Sequence, residues 1–404
     1  MLNATLLDMG VDETEDSTLT PLLIDESTPK RYNFSRQNRN DDTTDESIGT
    51  LQDFHIFFLE IHGYASLVVC AFGILTNVLN ITVLMAKDMR TATNHLLTFL
   101  AIADILTMLP YIPFVLHFYC PPADPYDSPE KFSYSWIVYM IIIISLLATT
   151  HTIAIWLAVT LAAFRFSQIR SPCPRGPMAK EMRVRQVKIA AAVVYITSVV
   201  VMIPNYLSHE IIKLPMPRHI NVSAFGLKEM HYGTKDIDLI ILTNILTYAI
   251  LAKILPCILI LVFSGSLLYH MGIKAARRRQ RLSVSCQQVQ TTRMLLVVLL
   301  MFIITELPQG VLNVLSALVP DFYLNFHYPL TDLMDFVALV NNAINFVLYC
   351  VMSQQFREKF FSIYIKPICE RRRTMITSNS ELLILREHPP RTMTTTTHEE
   401  TLRV

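Results

Sequence analysis

The sequence predicts an all-α membrane protein: a bundle of seven transmembrane helices followed by a short amphipathic helix. Three observations carry that prediction. Of 404 residues, 52% are hydrophobic and only 17% charged, with a mean hydropathy of +0.39, whereas soluble proteins carry about 25% charged residues. Seven apolar stretches are each long enough to cross about 30 Å of hydrocarbon, which takes roughly 20 helical residues. Lysine and arginine are unevenly divided between the loops: 21 fall on one side, counted as far as Arg373, and 6 on the other, counted from the twenty residues before the first apolar stretch. Ten-residue alternating patterns of a membrane β-barrel are absent, so helix is the reading.

Residues 1–56 form an acidic tail. Twelve Asp and Glu up to Asp53 oppose four Lys and Arg, and a segment so polar cannot bury enough apolar area to fold alone. No basic segment followed by an apolar one stands at Met1, so no cleaved signal is expected and the first helix serves as the insertion signal. The helices are expected near 57–85, 96–118, 134–164, 187–207, 239–269, 294–319 and 329–351, within a bundle spanning 57–351. After it, Phe356, Phe360 and Phe361 share one face among basic residues, which predicts a membrane-surface helix over 352–364. Residues 365–404 are Ser/Thr-rich and read as a disordered tail open to phosphorylation, with Cys369 either palmitoylated or a free thiol.

The basic side is expected to be cytoplasmic, which places the amino terminus outside a plasma membrane. The sequons at Asn3, Asn33 and Asn221 then all fall outside and are candidate glycosylation sites. A net charge of +1 and the lack of dinucleotide, P-loop or zincin motifs leave nucleic-acid binding, cofactor chemistry and enzymatic catalysis without support.

A charge inside an apolar helix costs roughly 2.5–3.5 kcal/mol, and a buried amide needs hydrogen-bond partners, so each such side chain needs a partner or a task. Asn77, Asp104, Asn341, Asn342 and Asn345 are such residues. They read either as glue between helices or as one polar network holding water or a cation such as sodium at Asp104. Arg165 closes the third apolar stretch.

These residues resemble the motifs of rhodopsin-like G-protein-coupled receptors. Gly73 to Asn77 is similar to the first-helix motif, and Leu100 to Asp104 to the second-helix Leu-Ala-x-x-Asp. Phe164-Arg165-Phe166 stands where Asp-Arg-Tyr is usual, and Asn345-Phe346-Val347-Leu348-Tyr349 where Asn-Pro-x-x-Tyr is usual. Pro256 and Pro308 fall at the usual bending prolines. His151 to Leu157 and Thr305 to Gly310 are similar to the invertebrate, especially nematode, myosuppressin-receptor-related and FMRFamide-like peptide receptors. That resemblance implies a secreted amidated peptide ligand ending in Arg-Phe-amide and heterotrimeric G proteins, often inhibitory, with arrestin as a further partner. It also implies that Arg165 and Tyr349, with the basic residues Arg277 and Arg278, face the G protein.

Besides those substitutions within the motifs, the chain departs from the family in its cysteines. Met140 stands where the third-helix cysteine is usual, and residues 208–238 contain no cysteine, so no disulfide is expected there. A peptide guanidinium is best held by a carboxylate. Asp335, Asp332 and Glu60 are candidates, with Gln309 beside them and Asp335 at the expected pocket depth. Glu306 lies deeper and is expected to pair with Lys253 or His151, with ligand contact as the lesser reading. The rival classes are a seven-helix transporter and a receptor for a ligand without Arg-Phe-amide. The seventh stretch has no lysine for a retinal Schiff base, and Leu147 stands where amine receptors place aspartate.

Overall fold

The computed structural model describes residues 42–120, 128–170, 176–214, 223–228, 239–278, 286–319, 321–368 and 370–371, without the side chains of 42–48, 169 and 271–295. Seven of its helices are long and apolar enough to cross a membrane. They are α1 (Asp42–Leu84), α2 (Ala92–Phe118), α3 (Tyr134–Arg170), α4 (Pro177–Val201, continued by a turn at Ile203–Leu207), α5, α6 (Cys286–Leu318) and α7. Helix α5 runs as Leu239–Thr247, a π-helical stretch Tyr248–Ile254 and Leu255–Arg278; α7 opens with a π turn, Tyr323–His327, and continues as Tyr328–Met352.

Three of the helix boundaries that differ from the expectation, two starts and one end, have local causes. Helix α1 begins at Asp42, inside the stretch assigned to the acidic tail. Within that stretch His55 packs against Tyr328 of α7 at 5.0 Å, and one turn on Phe58 stands edge-on to Phe336 at 6.0 Å. Helix α4 begins at Pro177, ten residues early, because proline is suited to the first helical position and Ala, Lys, Glu, Met and Arg follow it. Helix α3 runs on to Arg170, so Arg165 sits within its last turns rather than at its end. Basic and polar side chains end an apolar stretch without ending the helix.

Helix α4 shows what surrounds the bundle. Only Val187, Ala191 and Ser198 are buried on it, while Ile189, Val193, Ile196 and Val200 are exposed. Such a surface is stable against lipid and costly in water.

Helices α1, α2 and α7 pack tightly together. At Gly73 an added Cβ would lie 2.5 Å from Met108 Sδ and 3.0 Å from Ala343 Cβ, so any side chain there would have to displace Met108 and press on α7. The π stretch in α5 has a local cause. The Leu255 N–H donates to the Ile250 carbonyl five residues back, and the next donor in that pattern is Pro256, which has none. The Leu251 carbonyl is therefore orphaned by α5 and accepts instead from Trp156 Nε1 on α3, at 3.0 Å. An indole on one helix thereby satisfies a proline break on another.

At one end of the bundle lies an antiparallel hairpin that periodicity did not reveal, β1 (Ile211–Lys213) and β2 (Phe225–Leu227), with Ile212 opposite Gly226. Leu214, Ala224 and Leu227 join Phe132, Ile137, Met140 and Ile143 in one buried apolar cluster with α2. Phe225 stands edge-on to Tyr134 at 5.6 Å. Apolar packing thus holds the strands, with Met140 fully buried among them. Cys70, Cys120 and Cys257 carry unbridged thiols. Reductant should leave hydrogen exchange of residues 211–227 unchanged, while Met140→Ala, a cavity costing about 2–5 kcal/mol, should accelerate it. Acceleration by reductant, or none in the variant, would refute this anchoring.

The residues from Ser353 onward form a separate compact unit. Its helix α8 (Gln354–Phe360) continues as a π turn over Phe361–Ile365. The Ser353 hydroxyl caps α8 by accepting from the Phe356 N–H at 3.3 Å.

Candidate functional site

A cavity of about 220 Å³ lies among α3, the end of α4, α5, α6 and α7. Ligand sites for whole small molecules usually measure ~300–1,000 Å³, so this one suits the end of a longer ligand. Ile144, Leu147 and Ala148 of α3 and Ile245 of α5 give it an apolar wall, and Asn205, His209, Asn313, His327 and Asp335 are among its polar groups. Asp335 is the one carboxylate among the described lining residues, and no lysine or arginine lines it. Ser316 Oγ on α6 lies 2.7 Å from His327 Nδ1, tying the π turn of α7 to α6.

Beneath the cavity is a buried charged group. Glu306 of α6 is fully buried and accepts from Lys253 Nζ at 2.5 Å and from His151 Nε2 at 2.5 Å. Lys253, 1% exposed, also donates to Gln309 Oε1 at 2.6 Å and lies over the Tyr248 ring at 5.2 Å from its centroid. Both expected pairings of Glu306 therefore exist at once. Gly310 permits this geometry: a Cβ there would stand 2.9 Å from Lys253 Cβ and from Ile254. His151 and Gln309 line the cavity, whereas Glu306 and Lys253 do not. They form its floor and connect it to the charges below.

Two of the four residues expected to bind ligand are elsewhere. Asp332 is fully buried and does not line the cavity. Tyr119 donates to its Oδ1 at 3.2 Å, and His55 Nδ1 lies 3.8 Å from Oδ2. Burial and the neighbouring acids Asp332 and Asp335 hold the Tyr119 phenol well above its ordinary value, so it keeps the proton it donates. Three residues separate Asp332 from Asp335, close to one helical turn, but the α1 and α2 contacts draw Asp332 away from the cavity. Glu60 lies on the exposed face of α1 and does not line the cavity either. Asp335 and Gln309 do.

The central amides divide into two sets rather than one network. Asn345 Nδ2 donates to Asp104 Oδ2 at 3.0 Å, joining α7 to α2. Asn77 Nδ2 donates to the carbonyls of Gly73 and Asn342, both at 3.0 Å, joining α1 to α7. Asp104 Oδ1 and Asn341 Nδ2 are buried and have no hydrogen-bond partner among the described residues. No cluster of three or more His, Cys, Asp or Glu placed to hold a metal occurs among them. Tyr349 is buried nearer the opposite end of α7.

That opposite end carries Arg165. Its Nη1 donates to Gln168 Oε1 at 3.3 Å, and the neighbouring Phe166 packs on Phe263 and His270 of α5, at 6.1 and 5.8 Å. Arg277 and Arg278 end α5, with side chains outside the described set; Asn3, Asn33, Asn221 and Cys369 also lie outside the described residues.

Reading the sequence missed Asn205, His209, Asn244 and His327. Each lies near the end of an apolar stretch, where polar residues are ordinary, and only the fold turns them into one cavity.

A seven-helix membrane bundle with a cavity in one half, sized for the end of a longer ligand, and a basic opposite end is built as a transmembrane receptor. Residues 64–366 match the profile of the serpentine type 7TM GPCR chemoreceptor Srw, well over half of the chain, and the chain belongs to that family of G-protein-coupled receptors. It is similar to the G-protein coupled receptor dmsr-1 of Caenorhabditis elegans, 28% identical over 76% of this chain and 69% of the relative. The sex peptide receptor of Drosophila melanogaster is 28% identical over 76% of this chain and 73% of its own. The FMRFamide receptor of Drosophila melanogaster is 26% identical over 74% of this chain and 53% of its own. The relatives are receptors, not enzymes, and the likeness to invertebrate neuropeptide receptors expected from the motifs is borne out. The chain is a multi-pass receptor of the plasma membrane.

Proposed function

We propose that this receptor recognises a secreted neuropeptide ending in Arg-Phe-amide and signals through heterotrimeric G proteins of the inhibitory class. One observation carries the ligand reading: among the described lining residues the cavity has one carboxylate, Asp335, no lysine or arginine, and an apolar wall. A guanidinium on Asp335 and an aromatic ring on Ile144, Leu147 and Ile245 match that lining. The likeness to a FMRFamide receptor supports the same reading, and inhibitory coupling rests on the motif resemblance alone. The basic end faces the cytoplasm, on the 21 to 6 distribution of Lys and Arg. Residues before α1 are then extracellular, with Asn3, Asn33 and Asn221 glycosylated, and α8 lies on the inner membrane surface ahead of a cytoplasmic tail.

Ligand pressing on His151 acts on Glu306 through their direct contact, and ligand pressing on Gln309 acts on it through Lys253, which donates to both. The Lys253–Glu306–His151 group thereby biases α6 against α3 and α5, and its rearrangement opens the cytoplasmic end. There Arg165, with Tyr349, Arg277 and Arg278, engages the G protein, and arrestin uses the same end.

A G-protein reporter challenged with a panel of amidated peptides tests the ligand class. Activation by Arg-Phe-amide peptides is expected; activation confined to peptides lacking that ending would replace it. Arg165→Ala should abolish reporter output while peptide binding stays measurable, and an intact response would remove Arg165 from the coupling surface.

A further inference from the structure

The end of the cavity formed by the α4 terminus carries polar atoms that no part of the fold uses. Asn205 is 9% exposed, lines the cavity, and its Oδ1 accepts no hydrogen bond from the described residues. His209 lines the same end, and both its ring nitrogens are buried without a partner among those residues. Buried acceptors and donors left unmade cost about 1–3 kcal/mol each, so two such residues in one cavity wall point to a ligand.

Their surroundings hold them in place. Ser208 Oγ donates to the Asn205 carbonyl at 2.9 Å and receives Asn244 Nδ2 at 3.1 Å. Tyr206 is tied to α3 through Thr149, hydroxyl to hydroxyl at 2.6 Å. Burial lowers the affinity of His209 for a second proton, so the imidazole is neutral and offers one N–H donor. The α4 end packs against α4 and α5, whereas α7, which carries Asp335, packs against α1, α2 and α6. The two polar places thus stand on different walls of one cavity.

We infer that Asn205 and His209 form a subsite for a primary carboxamide, the amidated end of the peptide. The carboxamide NH2 donates to Asn205 Oδ1, and its carbonyl accepts from the His209 N–H. A free carboxylate offers Asn205 Oδ1 an anionic oxygen instead of a donor, with no lysine or arginine among the lining residues to offset it. The subsite therefore reads amidation itself. This inference rests on the proposal of an amidated peptide ligand and adds which residues sense the amide.

The test uses the full-length receptor in cell membranes and four probes: Phe-Met-Arg-Phe-amide, its free acid, and the same pair with citrulline for arginine. The wild type should favour amide over acid by about 100-fold or more, since a site built to hydrogen-bond a group strongly rejects an analogue lacking it. Asn205→Ala and His209→Phe should each compress that ratio below about 10-fold, His209→Gln, which keeps a donor, should hold more of it, and Asp335→Asn should lower both affinities without moving it. A wild-type ratio near one, or a full ratio in both Asn205→Ala and His209→Phe, overturns the subsite. Equal binding of arginine and citrulline amides, with the amide preference intact, keeps the subsite and removes the Arg-Phe reading. Failure of all four probes to bind overturns both.

Discussion

Replacing Glu306 by alanine is expected to destabilise the receptor by about 3–5 kcal/mol, the usual cost of stripping one partner from a buried ion pair. The size follows from what remains. Lys253 is 1% exposed and would keep Gln309 Oε1 and the Tyr248 ring beside it without a carboxylate to offset its charge. Membrane proteins often unfold irreversibly, so the fitting measure is the half-life of the detergent-solubilised receptor at fixed temperature. The double variant Glu306→Met with Lys253→Met should regain most of that half-life, because buried ion pairs are replaced by apolar side chains at little cost. A single variant as long-lived as the wild type would contradict the buried pair. Glu306→Gln keeps the shape and loses the charge; unchanged basal activity and peptide potency in it would remove the group from signalling while leaving its structural role.

Asp335→Asn should weaken an Arg-Phe-amide peptide by roughly 30- to 1,000-fold, which is about 2–4 kcal/mol for losing one side of a desolvated charge pair. The substitution preserves side-chain size, and Asp335 shares its cavity with no other carboxylate among the described lining residues. The peptide with citrulline for arginine provides the second half of a double-mutant cycle. If the guanidinium meets Asp335, the citrulline peptide already binds the wild type weakly and loses little more in Asp335→Asn. Equal losses for both peptides would mean that Asp335 shapes the cavity without touching the arginine.

Part of this site was legible in the sequence. Glu306 inside an apolar helix demanded a cation, and Lys253 and His151 were the reachable ones, because a buried charge must be compensated whatever the fold. Asp335 was placed by counting turns from Asn345. Asp332 was misplaced by the same count, since helical spacing fixes direction only about the helix axis and says nothing of which neighbours crowd each direction. Tyr119 and His55 come from α2 and α1, and their contacts with Asp332 exist only once the bundle is assembled. Glu60 failed for a similar reason: a carboxylate near the end of α1 reads alike whether it faces cavity or lipid.

The sequence by itself determined the class of this protein. Apolar runs of bilayer length, their number, the side on which Lys and Arg accumulate, and charges that need partners inside them are all properties of the chain, because lipid imposes its thickness and dielectric on every segment separately. Tertiary structure decided everything that depends on which faces meet. It supplied the hairpin held by Met140 and its neighbours, the indole of Trp156 on the carbonyl that Pro256 orphans, and the cavity where Asn205, His209 and Asp335 converge. Those residues lie up to 130 positions apart, and only the closure of the bundle, set by side-chain packing at places such as Gly73 and Gly310, brings them around one ligand.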